Sequence, residues 1–484
     1  MRQLTLCFIP PCLPALARTA CLLPCVLLAQ SPRDGHLPDA PKPTAAAPPV
    51  MIAQAQTPPA TPQVPVPAAN APAEDNAPRL TLADAEQMAI KSNPRVTVGH
   101  LLALAQHQVV RETRSAELPT ATAALTAVEA EDATRISAGS LTSSRIFTHA
   151  GAGGGFTQLI TDFGKTGNLV ASSKLQEKAE NASALATTED IVIATDQAFY
   201  DALQAQALLR VAEQNVDTRQ TTDAQVGSLT RNKLKSTLDL SFADVNLSQS
   251  KVMLLDAQDT AQATMAALDA VLGLDHHVHY HLVESTEPLA PPPVDPEQLT
   301  QLALSQRPDL QALTYRQQAA TKYSHAERDQ MLPSISAAGT LGSVPIRPGQ
   351  YYVTNWWGGV GVNMNIPVFN GFLYSAQAKE SALRAQAASE QARDLRDRIV
   401  RDVRTSWLDA NTAYQRVSVT ADLLKQANLA LGLAQTRYQL GLSSIVELSQ
   451  AQYQQTDAAI GNTNAIFAYR LALATLNYQI GANP

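Results

Sequence analysis

Three histidines at alternate positions, His277, His279 and His281 in "DHHVHYH" (275–281), would share one face of an extended segment, with Asp275 and His276 beside them. Imidazoles so spaced can hold zinc or copper. The stretch joins two long helical patterns, where such runs are commonly solvated linker, so that reading competes with a metal site. The glycine run "GAGGG" at 151–155 lacks the Lys-Ser/Thr ending of a phosphate loop. No His-Glu-x-x-His zinc helix occurs, and the four cysteines, Cys7, Cys12, Cys21 and Cys25, all lie near the start. Neither an enzyme nor a cofactor is expected. A net charge of −7 offers no positive field, so no nucleic-acid partner is expected either.

The elements that would position these residues are thin and long. Aromatics make up 5% of the 484 residues and alanine is abundant, which disfavours a thick core. Residues 1–30 read as an export signal, with Arg2 and a broken apolar run from Cys21 to Ala29. A lipid anchor is the rival reading of Cys21 or Cys25. Residues 31–78 hold 13 of the 30 prolines among Ala, Gln and Thr and read as a disordered linker. No apolar run is long enough for a membrane helix.

Beyond that linker the chain repeats. Pro94 and Pro308 are 214 residues apart, as are Leu118-Pro119 and Leu332-Pro333. At a shift of 208, Phe199 meets Trp407, Asp201 meets Asp409, Asp239 meets Glu447 and Gly273 meets Gly481. The spacing predicts a tandem duplication, 79–287 and 288–484. In each copy one proline ends a short helix and the second stops the next helix at Leu-Pro.

After Leu-Pro each copy has a cap-free segment rich in Thr, Ala, Ser and Gly, at about 120–162 and about 334–369. In "VGVNMNIPVF", Val360, Val362, Met364, Ile366 and Val368 alternate with small or polar residues, a period of two. Such alternation fits a membrane-barrel strand. It also fits a half-buried strand of a soluble sandwich. Tyr351, Tyr352, Trp356 and Trp357 cluster just before it, as interfacial aromatics would.

Then come the rods. Residues 168–226 and 372–431 contain neither Gly nor Pro, enough for helices of about 90–100 Å. From Ile399 and Val403 through Ala410, Val417 and Leu424 to Ala434, a 4-3 spacing marks a coiled-coil seam of mostly small residues. Small knobs suit helices set side by side in a tube wall. Turns are expected at Gly227 to Lys233 and at Gly441, with helices spanning about 164–272 and about 371–479 in the two copies.

This doubled order resembles the TolC-type outer-membrane efflux proteins, through "LTLADAEQMAIKSNPRV", "IPVFNGF", "WLDANTAYQ" and "YQLGLSSIVELSQAQ". The resemblance implies a mainly α protein with a membrane β-barrel. In it a homotrimer of long antiparallel coiled-coil helices joins a shared barrel of twelve strands, four from each copy. It implies an exit duct in the outer membrane of a Gram-negative-type bacterium, with the helical tube in the periplasm and a periplasmic adaptor and an inner-membrane pump as partners. It assigns Tyr438, Glu447, Asp239 and Gln450 to a gate at the helical tip. Leu440, Gly441, Leu442, Ser443 and Lys233 would meet the adaptor. Ser443 stands where the family has an arginine, Gln450 replaces an acid, and Lys233 replaces a turn glycine. An elongated soluble periplasmic coiled-coil scaffold is the alternative; it explains the heptads but not "VGVNMNIPVF".

Overall fold

The computed structural model describes residues 78–482 except 132–134, 139–141, 146–147, 277, 279, 285–287 and 344–355. The signal and linker readings, the cysteines, Tyr351, Tyr352, His277 and His279 lie outside the described residues.

Thr81 starts the first helix, α1 (Leu82–Ser92), with a capping box: its hydroxyl accepts from the Asp84 amide, and the Asp84 carboxylate accepts in return. Asn93 ends α1 and caps α2 (Pro94–Ser115), whose proline occupies the first turn, where no N–H is needed. The same joint recurs at Arg307, between α5 (Pro296–Gln306) and α6 (Pro308–Asp329). The two short pairs have 11 and 22 residues in each case. The long helices match too: α3 (Lys165–Arg231) and α7 (Leu373–Gln439) have 67 residues, α4 (Thr237–Leu272) and α8 (Ile445–Ile480) have 36.

Each proline joint is tied to the end of a return helix. Asn93 Nδ2 donates to Val271 O at 2.8 Å, and Arg307 Nη1 reaches Gln479 O at 3.4 Å, the position 208 residues further on. Gly273 closes α4 at φ +73°, and a Cβ there would stand 2.8 Å from Ser92 O, so only glycine fits.

Helices α3 and α7 run through two layers. On the side of the Leu-Pro segments the neighbours run α2–α3–α6–α7; on the other side they run α4–α3–α8–α7. The predicted seam on α7 faces inward, with Ile399, Val403, Ala410, Ala427 and Ala434 all buried. The largest core gathers Phe199, Leu268, Leu272 and Phe467 under α1. A short parallel pairing of β1 (Arg79–Leu80) with β6 (His281–Leu282) ties the segment before α1 to the segment between α4 and α5. Among the described residues no helix is long and apolar enough to cross a membrane.

The strands β2 (Thr120–Val128), β5 (His149–Thr161), β7 (Ser334–Ser343) and β8 (Trp357–Asn365) form one antiparallel sheet in that order. Between β2 and β5, β3 (Arg135–Ala138) and β4 (Thr142–Arg145) form a separate hairpin, so the segment expected at about 120–162 to hold two strands has four among its described residues. Three boundaries also shift. β8 stops at Asn365, before Ile366 and Val368, because Pro367 supplies no ladder N–H. The rods extend through Gly167, Gly227 and Gly432, since one glycine costs about 1 kcal/mol in a helix interior and long helices packed on neighbours absorb it. Helices α2 and α6 end one turn before their Leu-Pro pairs.

Candidate functional site

The antiparallel registers align side chains in rows across all four strands. Ala121, Phe156, Gly339 and Val360 form one row; Ala123, Gly154, Leu341 and Gly358 form the next. Val362 and Met364 continue that face beside Ala337 and Ile335. It is apolar and bare: Leu125 is 88% exposed, Val360 81% and Val362 70%. Gln158 and Ser343 interrupt it; Gln158 is at the helical end, where its amide donates to Glu117 O and Leu159 O. Phe156 lies across Gly339, where a Cβ would come within 2.2 Å of the ring. The rows between belong to the other face: Thr120, Thr157, Ala338 and Gly361, then Thr122, Gly155, Thr340 and Gly359. Asn363 and Asn365 complete it toward the helices. Of the predicted interfacial aromatics, Trp356 stands in a groove with Leu341 and Val360, while the register sets Trp357 on the polar side.

At the opposite end, the two hairpin turns come together around Tyr438. Its ring is buried with Val226, Ala243, Ala434, Ile445 and Leu448, and Lys235 Nζ lies 4.5 Å above it. Burial, with the nearby Asp239 charge, pushes the phenol pKa up, and its hydroxyl has no hydrogen-bond partner among the described residues. Asp239 is engaged locally, accepting from the Ser236 amide at 3.3 Å in a capping box. Glu447 pairs with Arg437 Nε at 3.0 Å. Arg437 escaped the sequence reading because the pair spans the turn, and no helical spacing announces it. Gln450 is exposed, as are Leu440 and Leu442, which flank Gly441 at φ +74°. Lys233 takes the first turn's left-handed position, φ +57°, in glycine's place. Ser443 is half-buried, its Oγ without a partner among the described residues.

Between the hairpins runs a polar seam that no motif revealed. Arg219 on α3 is 8% exposed and donates through Nη1 to Gln452 Oε1 on α8 at 2.7 Å. Gln452 Nε2 donates to Thr222 Oγ1 at 3.0 Å, and Asn246 Nδ2 to Ser449 Oγ at 3.0 Å. Ala212, Arg219 and Val226 are buried at seven-residue steps, so Arg219 holds a seam position; that spacing was the available signal. Burial pulls the guanidinium pKa down. A carboxylate at 452 would supply the counter-charge. Gln452→Glu is expected to stabilise the chain by about 1 kcal/mol, the margin of a charge-assisted over a neutral hydrogen bond, read as a higher Tm.

One buried and one half-buried acid lie near the proline joints. Asp196 on α3, 5% exposed, is pushed up to about 7 by burial and by the Glu86 carboxyl hydrogen-bonded to it. Glu189 also rises to about 7, first through burial and then through Asp309. Around Glu189, Arg307 grips Asp309 through Nε at 3.1 Å and Nη2 at 2.7 Å, and the Tyr478 hydroxyl donates to Asp190 at 2.5 Å. Of the histidine cluster, His281 lies in β6, and among the described residues no group of three or more potential ligands gathers.

Residues 299–482 match the family model described as outer membrane efflux protein. Outer membrane protein TolC of Salmonella enteritidis is 24% identical over 122 residues, 25% of each chain. Outer membrane efflux protein BepC of Brucella suis biovar 1 is 22% identical over 188 residues, 39% of each. The alignments thus span a quarter to two fifths of these curated relatives. The fold likeness is broader. The outer membrane protein VceC from Vibrio cholerae superposes with a TM-score of 0.68 at 19% identity, covering 83% of this chain and 96% of that one. The outer-membrane channel OprN gives 0.72 at 17% identity, covering 83% and 90%. The resemblance drawn from the sequence holds, and the fold is TolC-like.

Proposed function

We propose, for a chain with the TolC-like fold and the outer membrane efflux protein signature over 299–482, the role of an outer-membrane exit duct that passively conducts solutes brought by a periplasmic adaptor and an inner-membrane pump. One observation carries this reading: the four-stranded sheet has a largely apolar face, an opposite face rich in threonine, serine, asparagine and glycine, and two edges, β2 and β8, that no other described strand pairs. A strand with lipid on one side and water on the other needs that division, and unpaired edges are not tolerated in lipid. Edge β8 of one copy would pair with β2 of the next. A homotrimer then closes twelve strands.

The helical layers support the same ring. Their outer members expose apolar stripes: Leu101 and Leu102 on α2, Leu238, Phe242 and Val245 on α4, and Val419, Leu423 and Leu433 on α7. The stripe on α4 steps by four and three, as coiled-coil seams do, and Val419 and Leu423 on α7 stand four apart. We read the matched element lengths as two copies of one ancestral unit, 79–287 and 288–484. Tyr438, Asp239, Glu447 and Gln450 would close the tip, and Leu440, Gly441, Leu442, Ser443 and Lys233 would meet the adaptor.

The test is fractionation with electrophoresis and planar bilayers. The protein should sediment with outer membranes, migrate as a trimer that dissociates on heating, and form ion-conducting pores. A monomer in the soluble fraction without conductance defeats the reading. Glu447→Ala removes an exposed ion pair worth about 0.2–1 kcal/mol, so open-state occupancy should rise by up to about fivefold, seen as greater conductance. Unchanged conductance removes Glu447 from the gate.

A further inference from the structure

The polar face of the sheet has a composition that bears on which solutes pass. Between Gly151 and Leu159 on β5 and along β2, β7 and β8, no described residue of that face is Asp, Glu, Lys, Arg or His; the register sets His149, opposite Val128 at the end of β5 away from the helices, on the same face. Apart from the Trp357 indole, its side-chain donors and acceptors are hydroxyls and amides, among them Thr122, Thr157, Ser336, Thr340, Asn363 and Asn365. A Cβ at Gly359 or Gly361 would meet nothing within 4 Å, so side chains of either sign would fit there, yet none projects. Charged groups do occur on the helices and at the tip, where Asp239, Arg437 and Glu447 stand.

Resting on the duct reading above, we infer that the strand wall between His149 and the helices is an electrically neutral, hydroxyl- and amide-lined exit that passes anionic, cationic and zwitterionic solutes without discrimination, so charge selection occurs outside this stretch. Pore selectivity follows the fixed charges lining a pore, and their influence fades over a Debye length of about 8 Å at physiological salt. Hydroxyls and amides donate and accept equally, so they solvate ions of both signs.

The four cysteines all lie within the first 25 residues, so single cysteines can be placed on the sheet and the unsubstituted protein's labelling subtracted. Gly361→Cys and Thr340→Cys are prepared in full-length protein reconstituted in neutral lipid vesicles. Each is reacted with anionic and with cationic methanethiosulfonates of similar size. The expected ratio of the two rates lies within about threefold of that for 2-mercaptoethanol, because one fixed charge at about 4 Å in water, worth about 1 kcal/mol, would change each rate about fivefold in opposite directions and skew the ratio about thirtyfold. Adding Thr340→Asp to Gly361→Cys should skew the ratio toward the cationic reagent. A skew of tenfold or more in both single variants overturns the neutral wall while leaving the duct intact. Val362→Cys, on the apolar face, should not react. If it reacts as fast as Gly361→Cys, the sheet is not seated in lipid, and the duct reading falls together with the inference.

Discussion

Val362→Arg is expected to abolish stable seating of the sheet in the membrane. Val362 lies on β8, paired with Ala337, and is 70% exposed on the apolar face. An arginine facing lipid costs about 2–4 kcal/mol at the bilayer midplane, and a trimer incurs the cost in every copy. The neighbouring Asn363→Arg should be tolerated, because its register sets it on the polar face beside Ser336. Membrane flotation and the heat-labile trimer band report both. Equal loss in the two variants would mean that the strand's alternation does not separate lipid from water.

The second large effect concerns pH. Asp196, normally near 3.8, is pushed up to about 7 by burial and by Glu86. The folded state therefore holds a proton that the unfolded chain releases at lower pH. Stability from this pair is full below about pH 4 and is lost as pH rises through about 7, where two adjoining carboxylates are both ionised. Tyr200 on α3 shares the site: burial and the Asp196 charge push its phenol pKa up, and Arg470 on α8, also paired with Glu284 at 3.3 Å, pulls it down. Asp196→Asn keeps the shape and removes one charge, so Tm at pH 8 should rise by several degrees and its fall between pH 5 and pH 8 should flatten. Glu189 shifts the same way, so a residual slope should remain. An unchanged pH profile would show that the pair is not proton-linked to folding.

Periodicity explains how much of this could be read beforehand. The rods, the doubled order and the proline joints were legible because helices and seams repeat at 3.6 and 3.5 residues and proline breaks both. "VGVNMNIPVF" showed its period of two, whereas "THAGAGGGFTQLI" in β5 did not, since glycines occupy both of its faces; only pairing with β2 and β7 orders them. The β3–β4 hairpin carries no strong alternation and went unread. At the site, Tyr438, Asp239 and Glu447 came from family likeness. Arg219 was hidden because arginine is normally read as solvent-facing, although its seven-residue steps from Ala212 and Val226 mark a seam position; its partner Gln452 shows only when α3 and α8 are packed. Gly227 and Gly432 misplaced the rod ends, because local propensity is a weak prior beside tertiary packing.

The paired lengths of 67 and 36 residues constrain how such a molecule can evolve. Lengthening one arm alone would leave the other hairpin's turn stranded partway along it and unseat Tyr438 from its neighbours. Growth must come as whole heptads, about 10 Å each, inserted at four sites together. Reach is therefore quantised, and lineages spanning a wider envelope should differ by matched insertions, never by a single one.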